Sequence, residues 1–260
     1  MDKRKIIYYE DELSDEFSVV PLEKKIIDES YVYVKKSLFK RFTRFFWYRI
    51  IATPIAFLYT KLRFGHKVVG AKKMKPYKKS GIFMYGNHTQ DIGDAFIPNM
   101  IYKSKGKYVV VNPSNLCVPV IGHVVPSLGG LPLPGCPVAA KNFLSAIKER
   151  ISEGAAVVIY PEAHIWPYYT GIRPFTDDSF IFPIRLGAAV FCFTNTYRKR
   201  KIRKEPKIIT YVDGPFFADE KLPLRERRAD LRNRVYEKMS ERAGLSDVEI
   251  IKYVKKEKDV

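Results

Sequence analysis

From about residue 65 onward, short apolar runs alternate with stretches of helical periodicity. Gly81–Tyr85 (GIFMY), Tyr108–Asn112 (YVVVN) and Ala156–Tyr160 (AVVIY) read as buried strands, and Ala188–Thr194 and Ile208–Asp213 as two more. Between them, Val138–Ile151 is helical, with Phe143, Leu144, Ile147 and Ile151 on one face and Gly154 as a stop. Residues 220–243 form a charged helical stretch that Gly244 ends, and Ser246 with Glu249 reads as a capping box opening a last short helix. Strands that alternate with helices predict an α/β fold, a mainly parallel mixed sheet flanked by helices. In such sheets, reactive side chains collect in the loops just past the strand C-termini.

The pattern before residue 65 is different. Phe45 to Tyr59 is apolar except for Arg49 and Thr53. A bilayer-spanning helix needs roughly 20 such residues, so the stretch is too short to cross. Pro54 interrupts it and bases flank it on both sides. The expectation is one or two amphipathic helices over 31–64 that lie in a membrane interface, with lysine and arginine tips snorkelling to the headgroups. A core-packed helix with a solvated basic face is the competing reading. Residues 1–30 read as an acidic, partly flexible arm without the apolar core of a secretory signal, 65–217 as the α/β domain, and 218–260 as C-terminal helices packing on it.

Charge sharpens this picture. The chain of 260 residues carries a net +18 and is 46% hydrophobic, enough for a sizeable core. Residues 1–30 hold nine acids against five bases, whereas 31–80 hold fourteen bases and no acid. Such a block seeks a polyanion, either nucleic acid or an anionic lipid surface. Its continuous apolar centre favours lipid, and no nucleic acid is expected as a partner. The three cysteines (Cys117, Cys136, Cys192) are odd in number and read as reduced thiols. His66, His88, His123 and His164 show no metal-ligand spacing, and no phosphate-cradling glycine loop or dinucleotide fingerprint occurs.

Two strand ends carry reactive groups. Gly86-Asn87-His88-Thr89-Gln90-Asp91-Ile92-Gly93-Asp94 places a histidine straight after a strand, with two carboxylates close behind. An imidazole can take a hydroxyl proton near neutrality, and a carboxylate on its other nitrogen fixes the tautomer and stabilises the imidazolium. With no obvious nucleophilic serine, the pair suits direct attack by a substrate hydroxyl. Tyr160-Pro161-Glu162-Ala163-His164 is the second strand end, and taken alone Glu162 is an ordinary strand-end acid. Backbone N–H groups of these loops are candidates to hold an oxyanion.

Taken in order, Asn87-His88, a carboxylate, the segment Gly129-Gly130-Leu131-Pro132-Leu133-Pro134, then Tyr160-Pro161-Glu162 and Val212-Asp213-Gly214-Pro215 resemble the glycerolipid acyltransferase superfamily over about residues 65–217. The resemblance implies acyl transfer from a thioester, acyl-CoA or acyl carrier protein, to the hydroxyl of a lysophospholipid such as 1-acylglycerol-3-phosphate, with no resident cofactor or metal. It implies His88 as general base, an aspartate that orients it, and Asn87 and Glu162 near the acceptor. The basic, aromatic stretch at 31–64 is expected to seat the protein on the anionic cytoplasmic leaflet of a membrane. The chain departs from the family pattern at several points. The family leaves four residues between histidine and aspartate, whereas Asp94 comes one residue later. Gly93 can absorb the extra residue, which makes Asp94 the choice and Asp91 the rival. Ala163 stands where the family has glycine, and His164-Ile165 where it has threonine and arginine. The glycine-rich segment lacks the family's arginine, which leaves Arg173 or Arg185 to grip phosphate. A nucleic-acid-binding protein, a hydrolase built on the same His–Asp pair and a non-catalytic relative are the alternatives.

Overall fold

The structure, a computed structural model, describes residues 4–18, 25–34, 37, 42–43, 45–102, 106–119 and 122–256. Seven strands form the main sheet: β2 (Lys67–Val69), β3 (Ile82–Gly86), β4 (Lys107–Val111), β5 (Gly130–Pro132), β6 (Ala156–Ile159), β7 (Ala189–Arg198) and β8 (Lys207–Phe216). Their order is β2-β8-β7-β3-β6-β4-β5, and every neighbouring pair is parallel except β7–β8. The sheet is therefore mainly parallel and mixed, as the strand–helix alternation predicts. Its short outer strands β2 and β5 escape the sequence pattern because three residues are too few to show a period.

The central strands β3, β6 and β7 bury both faces, which is why they read as continuous apolar runs. Along β3, Phe83 and Tyr85 point into one core with Phe143, Ile147 and Ile151 of a helix over Pro137–Ser152 (α3). The same core takes Leu231, Val235, Met239 and Ala243 of a helix over Leu224–Ala243 (α5), which recur every fourth residue. Ile82 and Met84 point the other way, into a second core with Phe64, Ile97 and Ile101. Those come from helices α1 (Thr53–Phe64) and α2 (Gly93–Ile101). The remaining short helix, α4 (Ile181–Leu186), leads into β7.

The apolar segment before residue 65 is helical where it is described. Phe46–Ala52 winds as a wide π-type turn, in which the Thr53 N–H reaches back five residues to the Tyr48 carbonyl, and it runs into α1. Pro54 lies in the first turn of α1, where its missing N–H costs least. Tyr48, Ala56, Thr60 and Phe64 form the buried stripe, and Tyr59 meets Phe96 of α2 edge-on at 5.7 Å. Phe45, Phe46, Trp47, Ile50, Ile55, Phe57, Leu58 and Leu62 remain exposed. Most of 35–44 lies outside the described residues, so the expectation of a helix there meets no observation.

Two expectations for the chain ends need correction. The acidic arm contains a strand, β1 (Lys5–Tyr9), which pairs in parallel with a C-terminal strand, β9 (Ile251–Lys255). No helix opens at Ser246, because both ends of the expected capping box are engaged elsewhere. The Ser246 hydroxyl accepts the Tyr197 N–H at 3.2 Å, and Glu249 pairs with Arg4. Isoleucine, tyrosine and valine in IKYVK then favour an extended chain.

Candidate active site

Strand register assembles the site. β3 lies between β6 and β7, with Tyr85 opposite Ile159 and Gly86 opposite Phe193. The chain leaving β3 at Asn87-His88 therefore emerges beside Pro161-Glu162 on one side and Thr194-Asn195 on the other. Asn87 continues the ladder with its side chain: its amide donates to the Asn195 carbonyl at 3.1 Å and accepts the Asn195 N–H at 2.8 Å. His88 begins where this pairing ends.

His88 Nδ1 lies 2.8 Å from Asp94 Oδ2. A carboxylate can only accept, so Nδ1 carries the proton and Nε2 presents a lone pair. Asp94 sits in the first turn of α2, where the helix dipole favours an anion. The same Oδ2 accepts the N–H groups of Thr89 at 2.8 Å and Gln90 at 2.9 Å. Burial raises the Asp94 carboxyl above its ordinary value, and the bonds from His88, Gln90 and Thr89 oppose that rise. Asp91 is exposed, and the bond that aims the ring comes from Asp94. Gly93 shapes the turn between them: a Cβ there would stand 2.8 Å from Cβ of Gln90, so a residue with a side chain would push the loop off Asp94. The imidazole is fixed from its face as well. Tyr160 stacks on it at 4.5 Å with planes 17° apart, and its hydroxyl donates to the Asp94 carbonyl at 2.6 Å.

Glu162 is buried, and its oxygens are committed to the chain. Oε2 accepts the His88 N–H at 2.9 Å, and Oε1 accepts the Arg173 N–H at 3.0 Å. The Arg173 guanidinium approaches Oε2 at 3.5 Å, with both side chains fully buried. Burial raises the Glu162 carboxyl, opposed chiefly by Arg173. Arg173 also donates to the carbonyls of Glu12 and His164 and lies over the Trp166 ring at 4.9 Å. The expected substrate contacts of Glu162 and Arg173 thus differ from what the geometry provides. Both side chains are enclosed and hold the His88 loop from behind. Arg185, the other phosphate candidate, is on α4 and exposed.

Three further groups support Asp94 from within the sheet. Asn195 Nδ2 donates to Asp94 Oδ1 at 3.3 Å, the Thr210 hydroxyl donates to Asn195 Oδ1 at 2.6 Å, and His66 Nε2 lies 2.8 Å from that hydroxyl. Because the hydroxyl proton goes to Asn195, His66 supplies the N–H, and all donors in the row point toward Asp94. Burial lowers the His66 pKa to about 4, which keeps the ring neutral at physiological pH. The sequence signal for this row is the polar run Thr194-Asn195-Thr196 inside the otherwise apolar β7, since buried polar groups require partners.

The N-terminal segment covers the second loop. Glu16 accepts the Ile165 N–H at 3.0 Å and meets His164 Nδ1 at 3.2 Å, and Trp166 Nε1 donates to the Asp15 carbonyl at 2.8 Å. Trp166 is packed among Tyr9, Phe17, Tyr169 and Tyr253. The backbone N–H of Trp166 donates to the His88 carbonyl at 3.1 Å, and that of Tyr168 to the Thr89 carbonyl at 2.9 Å. A small cleft with about 110 Å³ of room for water opens beside the histidine loop, lined by Tyr59, Arg63, Thr89, Asp91, Ile92 and Tyr168 among others. The backbone N–H groups of His88, Thr89 and Gln90 are all spent on Glu162 and Asp94, so this stretch supplies no free oxyanion donor.

The fold has a counterpart among solved structures. The crystal structure of the 1-acyl-sn-glycerophosphate (LPA) acyltransferase PlsC from Thermotoga maritima superposes with a TM-score of 0.56, covering 81% of this chain and 84% of that one at 15% identity. The chain shares the fold of that acyltransferase. No family model matches the sequence, and no curated protein matches it. In this acyltransferase fold, Ala163 takes φ +63°, a left-handed conformation natural to glycine. The glycine that the family pattern has there is thus explained by the backbone. Among the described residues, no helix is long and apolar enough to cross a membrane and no cluster of metal-ligating side chains occurs.

Proposed function

We propose that this protein transfers a fatty acyl group from an acyl thioester, acyl-CoA or acyl carrier protein, to the hydroxyl of a lysophospholipid such as 1-acylglycerol-3-phosphate. The observation that carries the reading is the 2.8 Å bond from His88 Nδ1 to the buried Asp94, at the tip of a central parallel strand in a fold shared with an LPA acyltransferase. His88 Nε2 takes the proton of the acceptor hydroxyl as its oxygen bonds to the thioester carbonyl carbon. The carbon–sulfur bond then breaks, and the proton passes from the imidazolium to the departing thiolate. Asp94 holds the tautomer and stabilises the imidazolium. The transient protein nucleophile that a serine or cysteine would supply has no support here. No such side chain bonds His88 among the described residues, and burial raises the Cys192 thiol to about 12.

Work at an anionic membrane surface, on its cytoplasmic side, belongs to the same proposal. Its support is the outward apolar row from Phe45 to Leu62, set in a stretch whose charged residues are all basic. Lysophospholipid acceptors partition into that surface, so docking brings enzyme and acceptor together.

Product analysis separates transfer from hydrolysis on the same pair. Purified protein is given a radiolabelled long-chain acyl-CoA and vesicles containing lysophosphatidic acid. Label appearing in phosphatidic acid supports the proposal. Label appearing as free fatty acid, at the same rate with and without acceptor, establishes a hydrolase instead.

A further inference from the structure

Beyond the apolar helix face lies a second feature that the reaction does not use. The turn joining β7 to β8 carries six bases in the seven residues from Arg198 to Lys204, and the seventh is Ile202. Ile202 is 97% exposed, the most exposed large apolar side chain described. Within the turn, Arg198 pairs with Asp247 at 3.3 Å. Arg200 and Arg203 bend back to α1: Arg200 donates to the Arg63 carbonyl at 2.8 Å, and Arg203 donates to that of Leu62. Cations bonded to the last carbonyls of a helix are favoured by its dipole, and the two bonds tie the turn to the C-terminal end of α1. Lys199, Lys201 and Lys204 make no ion pair among the described residues.

We propose that this turn is a second docking element, which inserts Ile202 into an anionic bilayer while the three unpaired lysines rest on its headgroups. Two observations make the bilayer the occupant. An isolated isoleucine ringed by bases matches the layered chemistry of a membrane interface, apolar inside and anionic outside. The Arg203 bond also sets the turn beside Leu62, which is 60% exposed and ends the outward apolar row of α1. Two arginine bonds thus tie the turn to the end of the helix that carries the outward apolar row. Two anchors fix an orientation where a single amphipathic helix would leave the domain free to roll about the helix axis. The clamp is built at the α1 end that adjoins the cleft beside His88, through Arg63 and Tyr59. The inference rests on the membrane part of the proposed function but concerns residues outside its helix.

Flotation of the full chain with vesicles of 30% phosphatidylglycerol in phosphatidylcholine tests it. The triple variant Lys199→Gln, Lys201→Gln, Lys204→Gln keeps both clamping arginines and is expected to weaken partition by on the order of 100-fold, at roughly a factor of five per lysine. Ile202→Ser is expected to lose about tenfold, including on pure phosphatidylcholine. Unchanged thermal unfolding of both variants shows that the fold is intact. If wild-type protein binds and the triple variant binds equally well, the turn is a solvated loop and the inference fails while docking by α1 stands. Absence of wild-type binding overturns both. If the triple variant instead loses binding to a single-stranded oligonucleotide while keeping vesicle binding, the patch serves nucleic acid and the inference is wrong.

Discussion

Replacing Glu162 with glutamine separates two views of that carboxylate at almost no cost in shape. In the structure its oxygens accept two different backbone N–H groups, His88 at 2.9 Å and Arg173 at 3.0 Å, and a buried guanidinium stands 3.5 Å away. An amide has one acceptor oxygen, so whichever way the side chain turns, one N–H faces an NH2 group. A buried donor left unmatched costs about 1–3 kcal/mol, and removing one partner of a buried ion pair costs about 3–5 kcal/mol. These overlap because Arg173 takes part in both. Burial already raises the Glu162 carboxyl, so its ionised form carries a desolvation cost that the amide escapes. We therefore expect Glu162→Gln to destabilise the protein by about 3 kcal/mol. Urea unfolding followed by tryptophan fluorescence measures this, because Trp166 is buried and lies against Arg173. The slope should stay constant while the midpoint falls. If the unfolding free energies agree within about 0.5 kcal/mol and the KM for the acceptor rises instead, Glu162 binds substrate and does not anchor the loop.

Other substitutions test neighbouring parts of the account. Ala163→Gly relieves a left-handed alanine and should raise stability by about 0.5–1 kcal/mol after the entropy of the unfolded glycine is counted, read from the same urea curves. Thr210→Val removes the hydroxyl between His66 and Asn195 and should cost about 2–4 kcal/mol, with Thr210→Ser restoring most of it. For His66 the sign follows from its depressed pKa. The unfolded ring takes up a proton below about 6.5, whereas the folded ring stays neutral down to about 4. Stability from this group is complete above that upper value and falls as pH drops through the window. Between pH 7.5 and 5 the wild type should lose about 2 kcal/mol more than His66→Gln, measured by denaturation at both pH values.

The sheet was legible from the sequence because its central strands are buried on both faces and flanked by helices of clear period. The His88–Asp94 contact was legible for a related reason: apolar strand β3 gives way abruptly to the polar Asn87-His88-Thr89. What escaped reading depends on register or on distant segments. The row His66, Thr210, Asn195, Asp94 forms only because β2, β8, β7 and β3 lie side by side, and one sequence cannot disclose strand order. The enclosure of Arg173 depends on the N-terminal segment, whose acidic composition suggests solvent but whose Glu12 and Glu16 meet the second loop. Ser246 and Glu249 carried a valid helix-start signal, which lost to tertiary partners on Tyr197 and Arg4. The sequence placed Arg173 at the acceptor's phosphate because arginine suits that ligand, but burial decides what a guanidinium can touch.

In the proposed reaction the His88 imidazole, aimed by Asp94, removes the acceptor's proton. Steady-state acyl transfer by purified His88→Ala protein, at saturating acyl-CoA and lysophosphatidic acid, measures it most directly. The account predicts kcat lower by about 10²–10⁴-fold with folding intact. Transfer at the wild-type rate by that variant would contradict it.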